Sequence, residues 1–137
     1  MKTRQSGFTM IELIVVIVIL GILAAAALPR FINMRGDAEQ AAADGIAGAA
    51  AAAMNLNFSG CALTNNVVTA NKCVAVDACT DVGALLQGGL AAAYAAAPDV
   101  AGADIGTTNG NTAVCKVSKT VGTATYTATF NGIAAGN

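Results

Sequence analysis

Histidine and tryptophan are absent from this chain, and of its 137 residues only four Phe and two Tyr are aromatic. Without His, the commonest general base and imidazole metal ligand are missing. Charge is sparse too: 11% of residues are Asp, Glu, Lys or Arg, and seven bases against eight acids leave a formal net charge of −1. A field that weak does not gather a polyanion, so nucleic-acid binding is disfavoured as a main role. There is no Walker A sequence, no GxSxG, no HExxH and no nucleophile with a plausible base, which argues against an enzyme and implies no cofactor. What the chain does have is small hydrophobes. Its apolar fraction of 55% is far too high for a disordered segment, and its length suits one domain.

The charges are unevenly spread. Lys2 and Arg4 come first, Glu12 is the only ionisable side chain from Phe8 to Leu28, and charges resume at Arg30. At 1.5 Å per residue such a segment forms a helix of roughly 31 Å, which matches a hydrocarbon core of about 30 Å. It is longer than the apolar core of an ordinary secretory signal, although Ala24-Ala25-Ala26 offers an A-x-A-like cleavage site that would leave a soluble protein starting near Ala27.

Glu12 needs an explanation, because a carboxylate inside a spanning helix is costly and usually has a partner or a function. One reading is a group near the membrane surface that snorkels or is protonated. The sharper one is an intermolecular ion pair. A cut after Gly7 would give Phe8 a new α-amine with Glu12 as the nearest carboxylate in sequence, and two buried charges from neighbouring copies would stabilise each other only on assembly.

The run Gly7-Phe8-Thr9-Met10-Ile11-Glu12-Leu13, followed by Ile14 to Ala25, resembles the class III leader and N-terminal helix of type IV pilins. The resemblance covers about the first 30 residues. It implies that a prepilin peptidase cuts between Gly7 and Phe8 and N-methylates Phe8, and that Glu12 takes the place of the family's assembly glutamate. Pro29 falls where many members have a helix-kinking proline. Leu28-Pro29-Arg30-Phe31-Ile32-Asn33-Met34, with Asp37-Ala38, Gly45 and Gly48-Ala49, is similar to the mannose-sensitive haemagglutinin branch of the type IVa pilins. The fold this implies is α+β: a long N-terminal helix packed on a small disulfide-bonded head with antiparallel strands. The corresponding organisation is a cleaved leader at 1–7, a transmembrane and filament-core half-helix at 8–29, and a head at 30–137.

The residues past Pro29 support the long helix. Phe31, Met34, Ala38, Ala41, Ala42, Gly45, Ala49, Ala52 and Leu56 recur at helical spacing, with Arg35, Asp37, Glu39, Gln40 and Asp44 mostly on the other side, so the first set is the expected core face. A helix from Thr9 to Phe58 would run about 75 Å, well beyond the globular mean. Gly21 and Pro29 bracket a weak part of it, since Pro29 cannot donate to the carbonyl of Ala25 and Gly costs about 1 kcal/mol relative to Ala. A bend or local melting is expected there, and the resemblance implies loss of helicity over roughly 21 to 29 in an assembled pilus.

Further on, 59–80 reads as loop with a short strand at Val67-Val68-Thr69, and 81–97 as a second helix that Pro98 ends. Thr112–Lys119 and Thr123–Asn131 read as an antiparallel hairpin, with Tyr126 and Phe130 facing the helix and a row of Thr outside. The four Cys, at 61, 73, 79 and 115, include no CxxC pair and have no His to complete a metal site, so disulfides are expected. Three pairings are open. Cys61 with Cys73 and Cys79 with Cys115 is favoured, the first closing the loop after the long helix and the second tying the second helix to the sheet. Asp99, Asp104, Asn109 and Asn111 offer oxygen ligands for calcium, but their spacing fits no EF-hand, and solvated loop is preferred. Asn57-Phe58-Ser59 matches the N-glycosylation pattern and is discounted because it lies near the end of the buried helix.

The expected role is therefore a structural subunit: a precursor held in the inner membrane by one span, then polymerised with copies of itself into an extracellular pilus that supports adhesion or motility. By resemblance, its partners are the prepilin peptidase, an inner-membrane assembly platform, an assembly ATPase and an outer-membrane secretin. The alternatives are a pseudopilin of a type II secretion system, whose major members usually have a calcium loop and few cysteines, and a minor tip pilin with a binding role.

Overall fold

The computed structural model describes residues 7–137, with residues 28–33 described by their helical backbone alone. It divides into two compact units, Met1–Ala38 and Glu39–Asn137. The elements are a long helix α1 (Met10–Leu63), a 3₁₀ turn (Cys79–Asp81), a one-turn helix α2 (Val82–Leu85), and strands β1 (Ala95–Pro98), β2 (Thr112–Val121) and β3 (Ala124–Ile133). This is the α+β pilin-like architecture: a long N-terminal helix, a small antiparallel sheet and disulfides.

In the first unit the apolar side chains from Met10 to Ala27 are all exposed, and the chain itself buries none of that span. Among the described residues, Met10–Ala27 and Met34–Leu63 are both long and apolar enough to cross a membrane, by length and composition. The second of these also supplies one wall of the head's core.

The second unit is built where α1 meets the sheet. The sheet order is β1-β2-β3, antiparallel throughout, with Val117 opposite Ala128, Cys115 opposite Phe130 and Pro98 opposite Cys115. Alternation along β3 buries Ala128, Phe130 and Gly132 and leaves Thr125, Thr127 and Thr129 exposed, so one face meets the helix and one meets solvent. The hairpin turn is Gly122-Thr123, because Val121 pairs with Ala124. Gly122 supplies the positive φ, 63°, that a two-residue hairpin turn needs at its first position. The core is thin, formed by Ala43, Ala47, Ala50 and Met54 of α1 against Val76, Val82, Ile105, Val117 and Phe130. Cys61, Cys73 and Ala135 make a separate smaller cluster beside Phe58.

Disulfides join Cys61 to Cys73 and Cys79 to Cys115, with Cα atoms 4.5 and 5.5 Å apart. The second lies in the main core and ties the 3₁₀ turn to β2.

Three expectations are corrected. The stretch 81–97 is not one helix: α2 stops at Leu85, Gly88 and Gly89 take positive φ of 86° and 79°, and Ala95–Pro98 pairs with β2. Helix propensity in the Ala run yields to a tertiary partner. No strand forms at 67–69, where Thr69 and Cys73 instead bridge through both backbone hydrogen bonds, 3.0 and 2.9 Å. Finally, α1 turns the other face to the head. Ala43, Ala47, Ala50, Met54, Asn57 and Cys61 are buried, whereas Met34, Ala38, Ala41, Ala42, Gly45, Ala49, Ala52 and Leu56 are exposed. The side chain of Phe31, placed on the same expected face, lies outside the described residues.

Candidate assembly site

The N-terminal end of α1 carries a reciprocal cap. The backbone N–H and the hydroxyl of Thr9 both donate to Oε2 of Glu12, at 2.8 and 2.7 Å, and the amide of Glu12 points back at Thr9 Oγ1 at 3.4 Å. Thr9 is the N-cap and Glu12 the third helical residue, which is the capping-box arrangement. It satisfies amides that have no partner within the helix and sets a carboxylate against the positive end of the helix dipole. The signal is present in the sequence as Thr9-x-x-Glu12, where Glu12 stands out first as the lone charge of an apolar run. Phe8 lies directly before this cap and is exposed, and Gly7 has open space around it. The rest of the expected leader, 1–6, lies outside the described residues. Gly21 has no neighbour within contact distance of an added methyl, and α1 is helical through both Gly21 and Pro29.

In the head, polar side chains fasten the helix to the sheet and loops. Lys119 Nζ on β2 reaches Glu39 Oε2 at 2.6 Å and lies 5.4 Å from the Tyr94 ring centre. Gln40 donates to the Thr127 carbonyl at 2.8 Å. Asn57, 7% exposed, accepts from the Val74 amide at 2.8 Å and donates to the Val74 carbonyl at 2.9 Å. It therefore pairs with the loop as a second backbone would, and its burial removes it as a glycosylation acceptor. The four residues weighed for calcium are otherwise engaged. Asp104 accepts from the Cys79 and Ile105 amides, Asp99 pairs with Lys116, Asn109 is bonded to Asn137, and Asn111 donates to the Ile105 carbonyl. No cluster of three or more Asp, Glu, Cys or His suited to a metal ion occurs among the described residues.

Residues 2–28 match the family model of the prokaryotic N-terminal methylation motif. This N-terminal segment is similar to those of type IV pilins and of a type II secretion pseudopilin. Curated relatives share the same region. The type IV narrow pilus major component PilA5 of Thermus thermophilus is 54% identical over 46 residues, 34% of this chain and 40% of that protein. The type II secretion system core protein G of Pseudomonas aeruginosa is 46% identical over 55 residues, 40% of this chain and 39% of that protein. The type IV major fimbrial protein FimA of Dichelobacter nodosus is 58% identical over 33 residues, 24% of this chain and 21% of that protein. The chain thus spans about two-fifths or less of the curated relatives it matches. No solved structure matches it.

Proposed function

We propose that this protein is the structural subunit of an extracellular type IV pilus. Residues 1–7 are removed between Gly7 and Phe8 by a prepilin peptidase, which N-methylates Phe8. Residues 8–29 span the inner membrane before assembly and lie in the filament core afterwards, and residues 30–137 form the head. The subunit polymerises with copies of itself, served by the inner-membrane platform, the assembly ATPase and the outer-membrane secretin that the resemblance implies. It has no catalytic role.

The observation that carries this reading is the fully exposed apolar surface of Met10–Ala27. A surface of that kind is stable only in lipid or against other copies. The outward stripe from Met34 to Leu56 extends the apolar surface along the same helix with small side chains, which allow close backbone approach. Glu12, released from Thr9 or shared with it, neutralises the Phe8 amine of a neighbour. On assembly the segment from Gly21 to Pro29 loses helicity, because Pro29 leaves the Ala25 carbonyl without its amide partner.

A type II secretion pseudopilin is the second reading, favoured by the 55-residue match to a core protein G. The engagement of Asp99 and Asp104 with the chain's own amides and Lys116 supports the pilus over a calcium-loop pseudopilin. Intact mass spectrometry of material sheared from the surface of producing cells distinguishes the two. The mass of residues 8–137 with one methyl in place of an N–H hydrogen (a net CH2) and minus four hydrogens for the two disulfides is expected in that fraction. Processed protein found only in the envelope would overturn the pilus in favour of the pseudopilin.

A further inference from the structure

Two exposed features of the head share no residue. One is the tip of the loop closed by Cys61 and Cys73, where Leu63, Val67 and Val68 are 87%, 62% and 59% exposed. The loop is firmly held. Asn65, Asn66 and Asn71 take positive φ, the Asn66 amide donates to the Cys61 carbonyl at 2.7 Å, and Thr64 Oγ1 donates to the Val67 carbonyl at 3.0 Å. An apolar tip fixed in this way loses little conformational freedom on docking. The other feature is a crevice of about 280 Å³ between the 99–104 loop and the start of β2, lined by Val100, Ala103, Asp104, Ala113 and Val114 among others. Val100 is 65% exposed there.

The charges beside the two features are complementary. The cations of Glu39–Asn137 are Lys72, Lys116 and Lys119. The latter two pair with Asp99 and Glu39, while Lys72, exposed beside the loop tip, makes no ion pair among the described residues. Asp104, in the crevice wall, is exposed and uses one oxygen, Oδ1, for the amides of Cys79 and Ile105.

We propose that in the filament the Val67–Val68 tip of one subunit seats in the Val100–Val114 crevice of a neighbouring copy, with the Lys72 ammonium against the Asp104 carboxylate. The contact rests on the pilus reading. A tip and a crevice at different places on one surface make a heterologous contact, which propagates into a helical fibre when its rotation does not close a ring. Copies already joined by their helices meet each other's heads at high effective concentration, so a small contact suffices.

Zero-length cross-linking tests it. A carbodiimide joins the Lys72 amine to a carboxylate as an amide, and takes up the lost water as a urea. Fibres sheared from cells and treated in this way should give a denatured dimer band containing a peptide that links Lys72 to Asp104. The same peptide should be absent from the monomer band and from detergent-dissociated subunits. Fibres whose dimer band lacks the link, or whose monomer band contains it, overturn the contact. Val68→Asp should lower fibre yield several-fold at equal processed subunit in the envelope, and an unchanged yield overturns it too. Wild-type cells that release no fibres would defeat the pilus reading itself, and the contact with it.

Discussion

Asn57 shows how one side chain can hold a thin-cored head together. Its amide meets both backbone groups of Val74, at 2.8 and 2.9 Å, so Asn57→Ala strands a donor and an acceptor at a partly buried site. The expected cost is about 1–3 kcal/mol, measurable as a lower denaturation midpoint of the detergent-solubilised chain with its disulfides intact. Gly132 acts by having no side chain. A Cβ there would sit 2.5 Å from Ile105 Cδ1 and 2.7 Å from Cys115 Sγ, and neither the core isoleucine nor the cross-linked sulfur has room to retreat. Gly132→Ala should therefore destabilise by about 1–3 kcal/mol through overpacking, whereas Gly45→Ala, at an open helical site, should be stabilising by about 1 kcal/mol. The N-terminal motif was legible because its pattern, Gly7-Phe8 with Glu12 the fifth residue counted from Phe8, stands out from an otherwise uncharged run. Asn57 was not, because a buried amide that imitates a strand has the same local sequence as a surface acceptor.

At the scale of elements, the hairpin and the long helix were readable because each has a period: two along Thr123–Asn131, and many turns of three and four along α1. The face of α1 was not readable. From Ala41 to Ala53 nearly every side is Ala or Gly, so hydrophobic periodicity gives no preference and the polar residues decided the sequence-based choice. Of those polar residues Arg35, Asp37 and Asp44 are exposed, while Glu39 and Gln40, and Asn57 further on, lie toward the sheet and loops for a reason. Glu39 is met by Lys119 and Asn57 by Val74, so the rule that polar residues face outward gives the wrong face wherever partners are waiting on another element. The same limit explains β1, whose Ala95-Ala96-Ala97 favours helix locally and becomes strand only beside β2. The disulfides should separate in their effects. Removing Cys79–Cys115, which closes 36 residues through the main core, should cost about 4 kcal/mol and lower protection from hydrogen exchange across β2, β3 and the middle of α1. Removing Cys61–Cys73, which closes 12 residues in the smaller cluster, should cost about 3 kcal/mol and raise exchange chiefly over residues 62–76. A uniform loss of protection from either double Cys→Ala variant would contradict this division.

For the whole molecule the question is what Glu12 does at each stage of its life. Before assembly its carboxylate accepts from the Thr9 amide and hydroxyl, an arrangement within one chain that needs hydrogen-bond acceptors and no charge, so Gln serves nearly as well. After assembly the proposed partner is a neighbour's Phe8 amine, and a neutral amide cannot compensate a cation buried in an apolar layer. The two roles therefore divide between two substitutions. Glu12→Gln keeps the capping box and removes the charge: cleavage at Gly7-Phe8 and methylation of Phe8 should persist, and fibre yield should fall at least tenfold. Thr9→Val removes the hydroxyl and keeps the charge: the helix start should fray, visible as faster amide exchange over the first turn of α1, while fibres still form. Both variants are read by comparing processed subunit in the envelope with subunit in the sheared fraction. The opposite outcome, Glu12→Gln assembling normally and Thr9→Val failing, would make Glu12 a helix cap alone and leave the Phe8 amine to be neutralised by something other than this residue.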